Sequence, residues 1–158
     1  MSATSFLLYL GISFLACTPA EDFSNDSQFQ EEFVRIVNSY RTAGCKCGST
    51  NMPPVAPLKW NEKLAKAAER HARDMAANYH FDHTGTDGSS SAQRIEQAGY
   101  KWRAVGENIA YGYADMEAVI AGWIKSKGHC KNIMSPNYTE MGAAQSGTYW
   151  AQTFGKPE

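Results

Sequence analysis

Two histidines and one glutamate are the side chains of this sequence best placed to do chemistry. His83 lies among small and polar residues, where packing requires no imidazole, so a hydrogen-bonding or ligand-binding role is favoured. Glu107 precedes an apolar stretch, so its carboxylate is expected to be partly buried and to need partners. His129 directly follows a predicted helix. If the fold brings these three residues together, they form a plausible ligand site.

Three kinds of site are compatible with these residues. Neutral imidazoles suit zinc, copper or nickel, and Glu107 could ligate a divalent cation directly or orient a histidine through its second ring nitrogen. Alternatively, the three side chains only hydrogen-bond to one another and hold loops together. The third alternative is a hydrolase. Its nucleophile could be a metal-bound water, or it could be Ser126 with His129 as the general base and Glu107 holding His129 in position. Because neither an H-E-x-x-H helix nor a G-x-S-x-G turn is present, we predict no catalytic residue.

The other two histidines have simpler interpretations. His71 falls on the apolar stripe of a predicted helix, so we predict a core histidine whose hydrogen bonds are satisfied. The stripe consists of Leu64, Ala68, Met75 and Tyr79. His80 stands at the end of the same helix without a polar companion at useful spacing, and is predicted to lie at the surface.

The cysteines indicate one long-range disulfide. Cys45 and Cys47 are separated by a single residue, so they form no C-x-x-C redox motif, and no second pair stands nearby to complete a zinc site. In an oxidising compartment one of them is expected to pair with Cys130 and the other to remain a thiol. The choice stays open, with a preference for Cys47 because Gly48 gives the loop freedom to approach. Such a bridge is expected to contribute about 4 kcal/mol to stability.

The N-terminal segment is predicted to direct export. Residues 6–16 form the only sustained apolar run, and these eleven residues fall well short of the roughly 20 that a membrane-spanning helix needs. A run of this length is typical of a signal peptide, which we place at residues 1–16. The Phe-Leu-Ala sequence before Cys17 resembles a bacterial lipobox and predicts a lipid anchor on Cys17. Residues 17–27 are expected to form a polar linker and residues 28–156 the folded domain.

Length and charge restrict the remaining possibilities. With 158 residues, 43% of them apolar, the chain is expected to form one globular domain. Its net charge of -1, with the two signs well mixed, provides no basic surface for nucleic acid or for an anionic membrane. We therefore expect a monomer that binds no nucleic acid and contacts a membrane only through its lipid anchor.

Capping and apolar patterns place the elements that must position the site. Four helices are predicted to begin at typical N-cap residues, namely Ser27, Asn61, Ser90 and Asp115. Gly99 is predicted to end the third helix in a left-handed conformation. Residues 45–57 are predicted to form a surface loop, and residues 139–144 and 149–154 a hairpin. Helices combined with a few antiparallel strands predict a layered α+β domain in which helices cover a sheet.

Seven stretches of the chain, in order, resemble the bacterial form of the CAP family, the cysteine-rich secretory and pathogenesis-related-1 proteins: 57–76, 82–90, 94–102, 106–113, 122–134, 137–144 and 149–155. GENIA, which contains Glu107, and GHCKNIM, which contains His129, are the most specific of them. The resemblance implies a three-layer α-β-α sandwich around a cavity lined by two histidines and two acidic residues. His83, Glu107 and His129 match three of these positions, whereas the second acidic position falls on Ser126, which supplies no carboxylate.

The same resemblance implies a location outside the cell or in the cell envelope. Family members bind lipids or sterols in surface grooves, so a lipid or another small molecule is a further candidate ligand. Trp102, Tyr111, Tyr113 and Tyr149 could line such a groove, but in a chain with 12% aromatic residues they are more simply interpreted as core and rim residues. The function that the sequence predicts is therefore that of an exported, non-enzymatic module that can hold a divalent cation such as zinc.

The predicted lipobox has a direct test. If it functions, the mature chain begins at Cys17 and carries lipid there. The several acyl chains of a bacterial lipoprotein would anchor it firmly, whereas a single chain anchors a protein only marginally. Mass spectrometry of the N-terminal peptide of the natively expressed protein is expected to show a lipidated Cys17. A Cys17→Ser variant is the control, because it cannot be lipidated at that position. A retained Met1, or an unmodified start elsewhere, would contradict the prediction.

Overall fold

A computed structural model describes residues 23–158, with side chains from residue 27 onwards. The predicted signal peptide, Cys17 and the start of the predicted linker lie outside the described residues. The elements are α1 (Phe23–Ala43), β1 (Cys45–Cys47), β2 (Thr50–Met52), β3 (Lys59–Trp60), α2 (Glu62–Asn78), α3 (Ser91–Gln97), β4 (Trp102–Tyr111), α4 (Met116–Lys125), α5 (Lys127–Ile133), β5 (Glu140–Ser146) and β6 (Tyr149–Pro157). No helix between residues 23 and 158 is long and apolar enough to cross a membrane.

The main sheet has four strands in the order β3-β5-β6-β4. The pairs β5–β6 and β6–β4 are antiparallel, and only the two-residue strand β3 runs parallel to its neighbour. Strands β5 and β6 form the predicted hairpin, in which Gly147 has a φ of 58° that favours glycine. The sheet therefore places β4 at one edge, where one side of the strand is open to loops.

Helices cover both faces of this sheet. Helix α2 packs on one face, where Ala68, Ala72 and Met75 contact Ile109 and Ala151. On the other face the larger core joins α1, α4 and α5 through buried residues that include Phe33, Trp123 and Ile133, together with Trp150 and Phe154 of β6. The predicted α+β sandwich of three layers is confirmed.

Helix α2 lies very close to the sheet because β5 carries a glycine beneath it. A Cβ atom on Gly142 would lie 2.0 Å from the Ala65 nitrogen. This is too close for any side chain, so only glycine fits at this position. The helix begins as predicted at Asn61, whose side chain accepts from the backbone of Lys63 and Leu64. Its end differs from the prediction, since Tyr79 adopts a left-handed conformation and is 90% exposed. Because the helix ends at Asn78, Tyr79 does not continue the apolar stripe.

The other predicted helix ends are mostly confirmed. Ser90 and Gln93 form the capping box of α3, Asp115 caps α4, and Gly99 has a φ of 81° just after α3. The prediction for α1 was wrong, because this helix begins at Phe23 and Ser27 lies inside it. Residues 23–27 of the predicted linker thus belong to the helix. A serine with a glutamine three residues later caps a helix only where the residues before the serine are not helical.

The segment 45–57, predicted to be a loop throughout, contains a short hairpin. Strands β1 and β2 pair with each other and with no strand of the main sheet. Gly48, in the turn between them, has a φ of 63°. Two three-residue strands are too short to be recognised among the prolines and polar residues that surround them.

Arg41, near the end of α1, is a buried cation held by main-chain carbonyls. It donates to the carbonyl oxygens of Ala56 at 2.8 Å, Ile133 at 2.6 Å, Ser135 at 2.9 Å and Tyr138 at 3.4 Å. Burial lowers the pKa of Arg41 to about 10, which still leaves the side chain charged at neutral pH. The contacts tie α1 to the segment before β3 and to the connection between α5 and β5.

The close approach of α2 to β5 can be tested with two glycine substitutions. Gly142→Ala is expected to destabilise the domain by roughly 1–3 kcal/mol or more, since the added methyl group forces α2 away from the sheet. Gly128→Ala is the matched control, because that glycine lies in helix α5 with open space around its Cβ position. Its expected effect is neutral or stabilising by up to about 1 kcal/mol. Urea unfolding midpoints measure both, and equal midpoints would refute the packing argument.

Candidate functional site

Glu107 lies at the centre of the site because of its position in β4. The residue pairs with Thr153 of β6, and its side chain shares a face of the sheet with Ile109, which packs against α2. It is only 6% exposed. A carboxylate that is so deeply buried needs partners for both of its oxygens.

Two side chains supply those partners. His83 Nδ1 lies 2.8 Å from Oε1 of Glu107, and Arg94 Nη2 lies 2.8 Å from Oε2. Because a carboxylate only accepts hydrogen bonds, the Nδ1 of His83 carries the proton in this contact. The structure therefore brings together the predicted pair, His83 and Glu107.

Arg94 is a site residue that sequence reasoning missed. It is 2% exposed, and besides Glu107 it donates to the carbonyl oxygens of His83 at 2.9 Å and Ser89 at 2.7 Å. The guanidinium thus neutralises the buried carboxylate and also fixes the loop between α2 and α3. The only signal in the sequence is that Arg94 opens the stretch 94–102, which resembles the CAP family. Residue type alone does not predict that a charged side chain is buried.

His71 lies in the core, as predicted, and also reaches the site. It is fully buried, its Nε2 lies 3.0 Å from the carbonyl oxygen of Asp82, and the same nitrogen is 3.9 Å from Oε1 of Glu107. Burial lowers the pKa of His71, although the carboxylate of Glu107 acts in the opposite direction. A neutral ring that donates from Nε2 leaves Nδ1 as an acceptor, and this atom has no hydrogen-bond partner among the described residues. The prediction that the hydrogen bonds of His71 are all satisfied was therefore wrong at Nδ1.

The ring of His83 is near enough to His129 to affect its protonation. The hydrogen bond to Glu107 raises the pKa of His83, whose side chain is 55% exposed. Burial lowers the pKa of His129, and the charge of His83 lowers it further. Within residues 27–158, neither ring nitrogen of His129 nor the Nε2 of His83 has a hydrogen-bond partner.

A network of amides holds His129 beside β4. Asn132 of α5 donates to the carbonyl oxygen of Glu107 at 3.1 Å and to the side-chain oxygen of Asn108 at 2.9 Å. Asn108 in turn donates to the carbonyl oxygen of His129 at 3.3 Å and to Gln152 at 3.2 Å. Sequence reasoning did not identify these amides, although Asn108 and Asn132 belong to the two most specific stretches.

The contacts of Glu107 fit a cation held by the rings of His83 and His129 better than one held by all three predicted residues. Each oxygen of Glu107 already accepts a hydrogen bond, so the contacts fit the second role considered for this carboxylate, which is to orient His83. In the part of the chain from residue 27 onwards, only the sulfurs of Cys45, Cys47 and Cys130 form a set of three ligand atoms within 4.8 Å of one another. His83, Glu107 and His129 are more widely spread, and two free imidazole nitrogens remain as the ligands that the site offers.

The hydrolase alternative finds no assembled nucleophile here. Ser126 lies between α4 and α5, and its backbone nitrogen bonds to the carbonyl oxygens of Gly122 and Trp123. Between residues 27 and 158, no hydrogen bond connects its hydroxyl to His129. Glu107 contacts His83, not His129, so it does not orient the proposed base.

The four aromatic residues that could line a groove do not form a single surface. Tyr111 and Tyr149 have ring centroids 4.6 Å apart, and Phe81 joins them at 6.2 Å from Tyr111. Trp102, however, lies at the opposite end of the ten-residue strand β4, and Tyr113 packs against the core with α4. The simpler interpretation, that these aromatics are core and rim residues, fits Trp102 and Tyr113, which both pack against buried clusters.

Cys47 and Cys130 form a disulfide in the structure, with their Cα atoms 5.3 Å apart, and Cys45 is a free cysteine. The bridge attaches the β1–β2 hairpin to α5. Cys130 follows His129, so the same bond restrains the backbone that carries this histidine.

Comparison with known proteins gives a consistent result. The model of the family described as "CAP: Cysteine-rich secretory protein family" matches residues 34–153. The uncharacterized protein YkwD of Bacillus subtilis is 33% identical over 133 residues, which are 83% of this chain and 48% of that protein. The uncharacterized membrane protein YlbC of the same organism is 35% identical over 100 residues, 63% of this chain and 29% of that protein. The chain thus spans less than half the length of these curated relatives.

Solved structures have the same fold. An extracellular protein containing an SCP domain from Bacillus anthracis superposes with a TM-score of 0.73 at 24% identity, covering 82% of this chain and 41% of the other. An outer surface protein of Borrelia burgdorferi gives 0.65 at 17% identity, covering 86% and 95%. At these identities the likeness concerns the fold alone.

The environment of the two rings predicts how they titrate. By NMR, His83 is expected to have a pKa above about 6.5 and His129 one below it. In Glu107→Gln the hydrogen-bonded carboxylate is lost, so the pKa of His83 is expected to fall while His129 changes less. Histidine ring resonances followed across pH measure both groups in wild type and variant. If His83 titrated below His129, the site geometry would be refuted.

Proposed function

This chain belongs to the cysteine-rich secretory protein (CAP) family, and on that premise we propose that it is an exported, non-catalytic module that holds a divalent cation between His83 and His129. The observation that carries the proposal is the 2.8 Å hydrogen bond from His83 Nδ1 to the buried Glu107. This bond fixes the tautomer of His83, so that Nε2 is the unprotonated nitrogen when the ring is neutral.

A carboxylate behind a histidine is a common arrangement at metal sites. The carboxylate orients the ring and raises the basicity of its free nitrogen. Arg94 holds Glu107 in place from the other side, so the ring of His83 is positioned by two buried side chains. His129 is the second ligand, restrained by the amide network and by the disulfide at Cys130.

Two imidazoles make a weak site with open positions. Zinc in proteins usually has three or four protein ligands, so a two-histidine site is expected to bind with modest affinity and to exchange readily. A bound divalent cation supplies positive charge, which would attract a small anionic ligand. Copper and nickel are also compatible with imidazole ligands, and zinc is the probe that we choose.

The same contacts argue against catalysis. The oxygens of Glu107 are occupied by Arg94 and His83, so this group is poorly placed to accept a proton from a substrate. Ser126 lacks a base at hydrogen-bond distance among residues 27–158. We therefore assign a binding role to the site, outside the cell or in the cell envelope, as the extracellular and surface locations of the structural relatives support.

Binding of a lipid or another small molecule is the second candidate function. It is favoured by the aromatic cluster of Phe81, Tyr111 and Tyr149, since Phe81 and Tyr111 are 52% and 56% exposed and lie close to the loop that carries His83. Exposed aromatic rings side by side can bind an apolar ligand. Mass spectrometry of organic extracts from the purified protein would detect such a ligand, and its absence from Tyr111→Ala would locate it.

Zinc titration tests the cation site. Calorimetry at pH 7.5 is expected to detect zinc binding that is lost or weakened at least tenfold in His83→Ala and His129→Ala. His80→Ala is the matched control, because His80 is bound to the carbonyl oxygen of Thr84 and takes no part in the site. Ligation requires a neutral His83, and the pKa of this residue is raised, so at pH 5.5 its protonation is expected to weaken binding by about tenfold or more.

Two results would overturn this assignment. Equal heats in wild type, His83→Ala and His129→Ala would show that zinc binds elsewhere or not at all. Loss of binding in His80→Ala to the same extent would show that any histidine near the loop contributes, so that the geometry around Glu107 has no special role.

A further inference from the structure

Three sulfur atoms lie together at the junction of the β1–β2 hairpin and α5. Residues two apart in a strand face the same side, so Cys45 and Cys47 both face Cys130. The Sγ of Cys45 lies 3.7 Å from the Sγ of Cys130, and the three sulfurs are all within 4.8 Å of one another. A free thiol is thus in contact with a disulfide in the resting structure.

The three sulfurs differ in their access to solvent. Cys47 and Cys130 are fully buried, whereas Cys45 is partly exposed. A small thiol in solution must approach a disulfide sulfur closely, because exchange proceeds by direct attack on sulfur. The buried bridge is shielded from such an attack, and Cys45 is the sulfur of the cluster that meets solvent.

We propose that Cys45, Cys47 and Cys130 form a thiol–disulfide exchange site whose substrates are low-molecular-mass thiols. In the first step the Cys45 thiol gives its proton to water, and the resulting thiolate attacks Cys130. A Cys45–Cys130 bond forms, the Cys47–Cys130 bond breaks, and Cys47 leaves as a thiolate that takes up a proton from water. No electrons are gained or lost in this step. The disulfide has moved from a buried pair to a pair with one partly exposed sulfur.

A small thiol then completes the reaction. Its thiolate attacks Cys45, forms a mixed disulfide with it and releases Cys130 as a thiol. A second molecule of the small thiol attacks the small-thiol sulfur of this mixed disulfide. Cys45 is released as a thiol, and the two small molecules leave joined as a disulfide. The net reaction converts one protein disulfide into two thiols and two small thiols into one small disulfide, so electrons and protons balance.

The hairpin that carries Cys45 and Cys47 is suited to this exchange. Attack requires the incoming sulfur to come into line with the breaking bond, which demands a shift of β1 relative to α5. Strands β1 and β2 bond only to each other and not to the main sheet. Gly44 and Gly48, at the two ends of β1, have positive φ angles of 73° and 63°, so this short strand begins and ends at turns.

Peptide mapping tests whether the alternative bridge forms. In a Cys17→Ser background, Cys47→Ala is expected to contain a Cys45–Cys130 disulfide after air oxidation. Free thiols are blocked with N-ethylmaleimide before digestion, and trypsin cleavage after Lys46 separates position 45 from position 47. In Cys45→Ala, the control, the Cys47–Cys130 bridge is expected to persist. Blocked, unbridged Cys45 and Cys130 in a folded Cys47→Ala protein would overturn the proposal.

Reduction kinetics provide a second test that does not require Cys47→Ala to fold. With glutathione as the thiol, the bridge of the Cys17→Ser protein is expected to be reduced at least tenfold faster than the bridge of Cys17→Ser, Cys45→Ala. Thr50→Ala is the matched control, since it alters an exposed residue of the same hairpin and leaves the three sulfurs unchanged. Equal rates with and without Cys45 would overturn the proposal, whether or not the cation site exists.

Discussion

The burial of one carboxylate is the constraint on which the site depends. Glu107 is held in β4 beneath α2, and an ionised group in such a place is tolerated only with an opposite charge and hydrogen bonds. Arg94 provides the charge from α3, and His83 provides a hydrogen bond from the preceding loop. Because Arg94 also binds the carbonyl oxygens of His83 and Ser89, compensation of this single charge determines the path of the loop.

Because side chains alternate along a strand, β4 also carries a residue of the site on the opposite face of the sheet. Glu107 faces α2, whereas Asn108 faces α5 and binds the backbone of His129. Two successive residues of this edge strand thus hold the two histidines, since Glu107 binds the ring of His83 and Asn108 binds the backbone of His129. An edge strand is needed for this arrangement, because a further strand beside β4 would separate the two sides.

Much of the fold could be predicted from local chemistry, and much of the site could not. Asn61, Ser90 and Asp115 cap their helices as predicted, because capping depends on a few adjacent residues. The burial of Glu107 was expected from residue type in context, and its contact with His83 was expected from the family resemblance. Arg94 and the amides were missed, since their roles arise from contacts between elements distant in sequence. The separation of Trp102 from Tyr111 could not be predicted for the same reason, since it depends on the length and direction of β4.

The carbonyl contacts of Arg41 join parts of the domain that are distant in sequence. Its guanidinium binds oxygens between 15 and 97 residues away along the chain. Loops of that length close at a considerable entropic cost, and chains rich in such contacts fold slowly. Until the connection between α5 and β5 is in place, this cation is better solvated by water than by protein. The last turn of α1 therefore cannot complete its buried contacts without α5 and the connection that follows it.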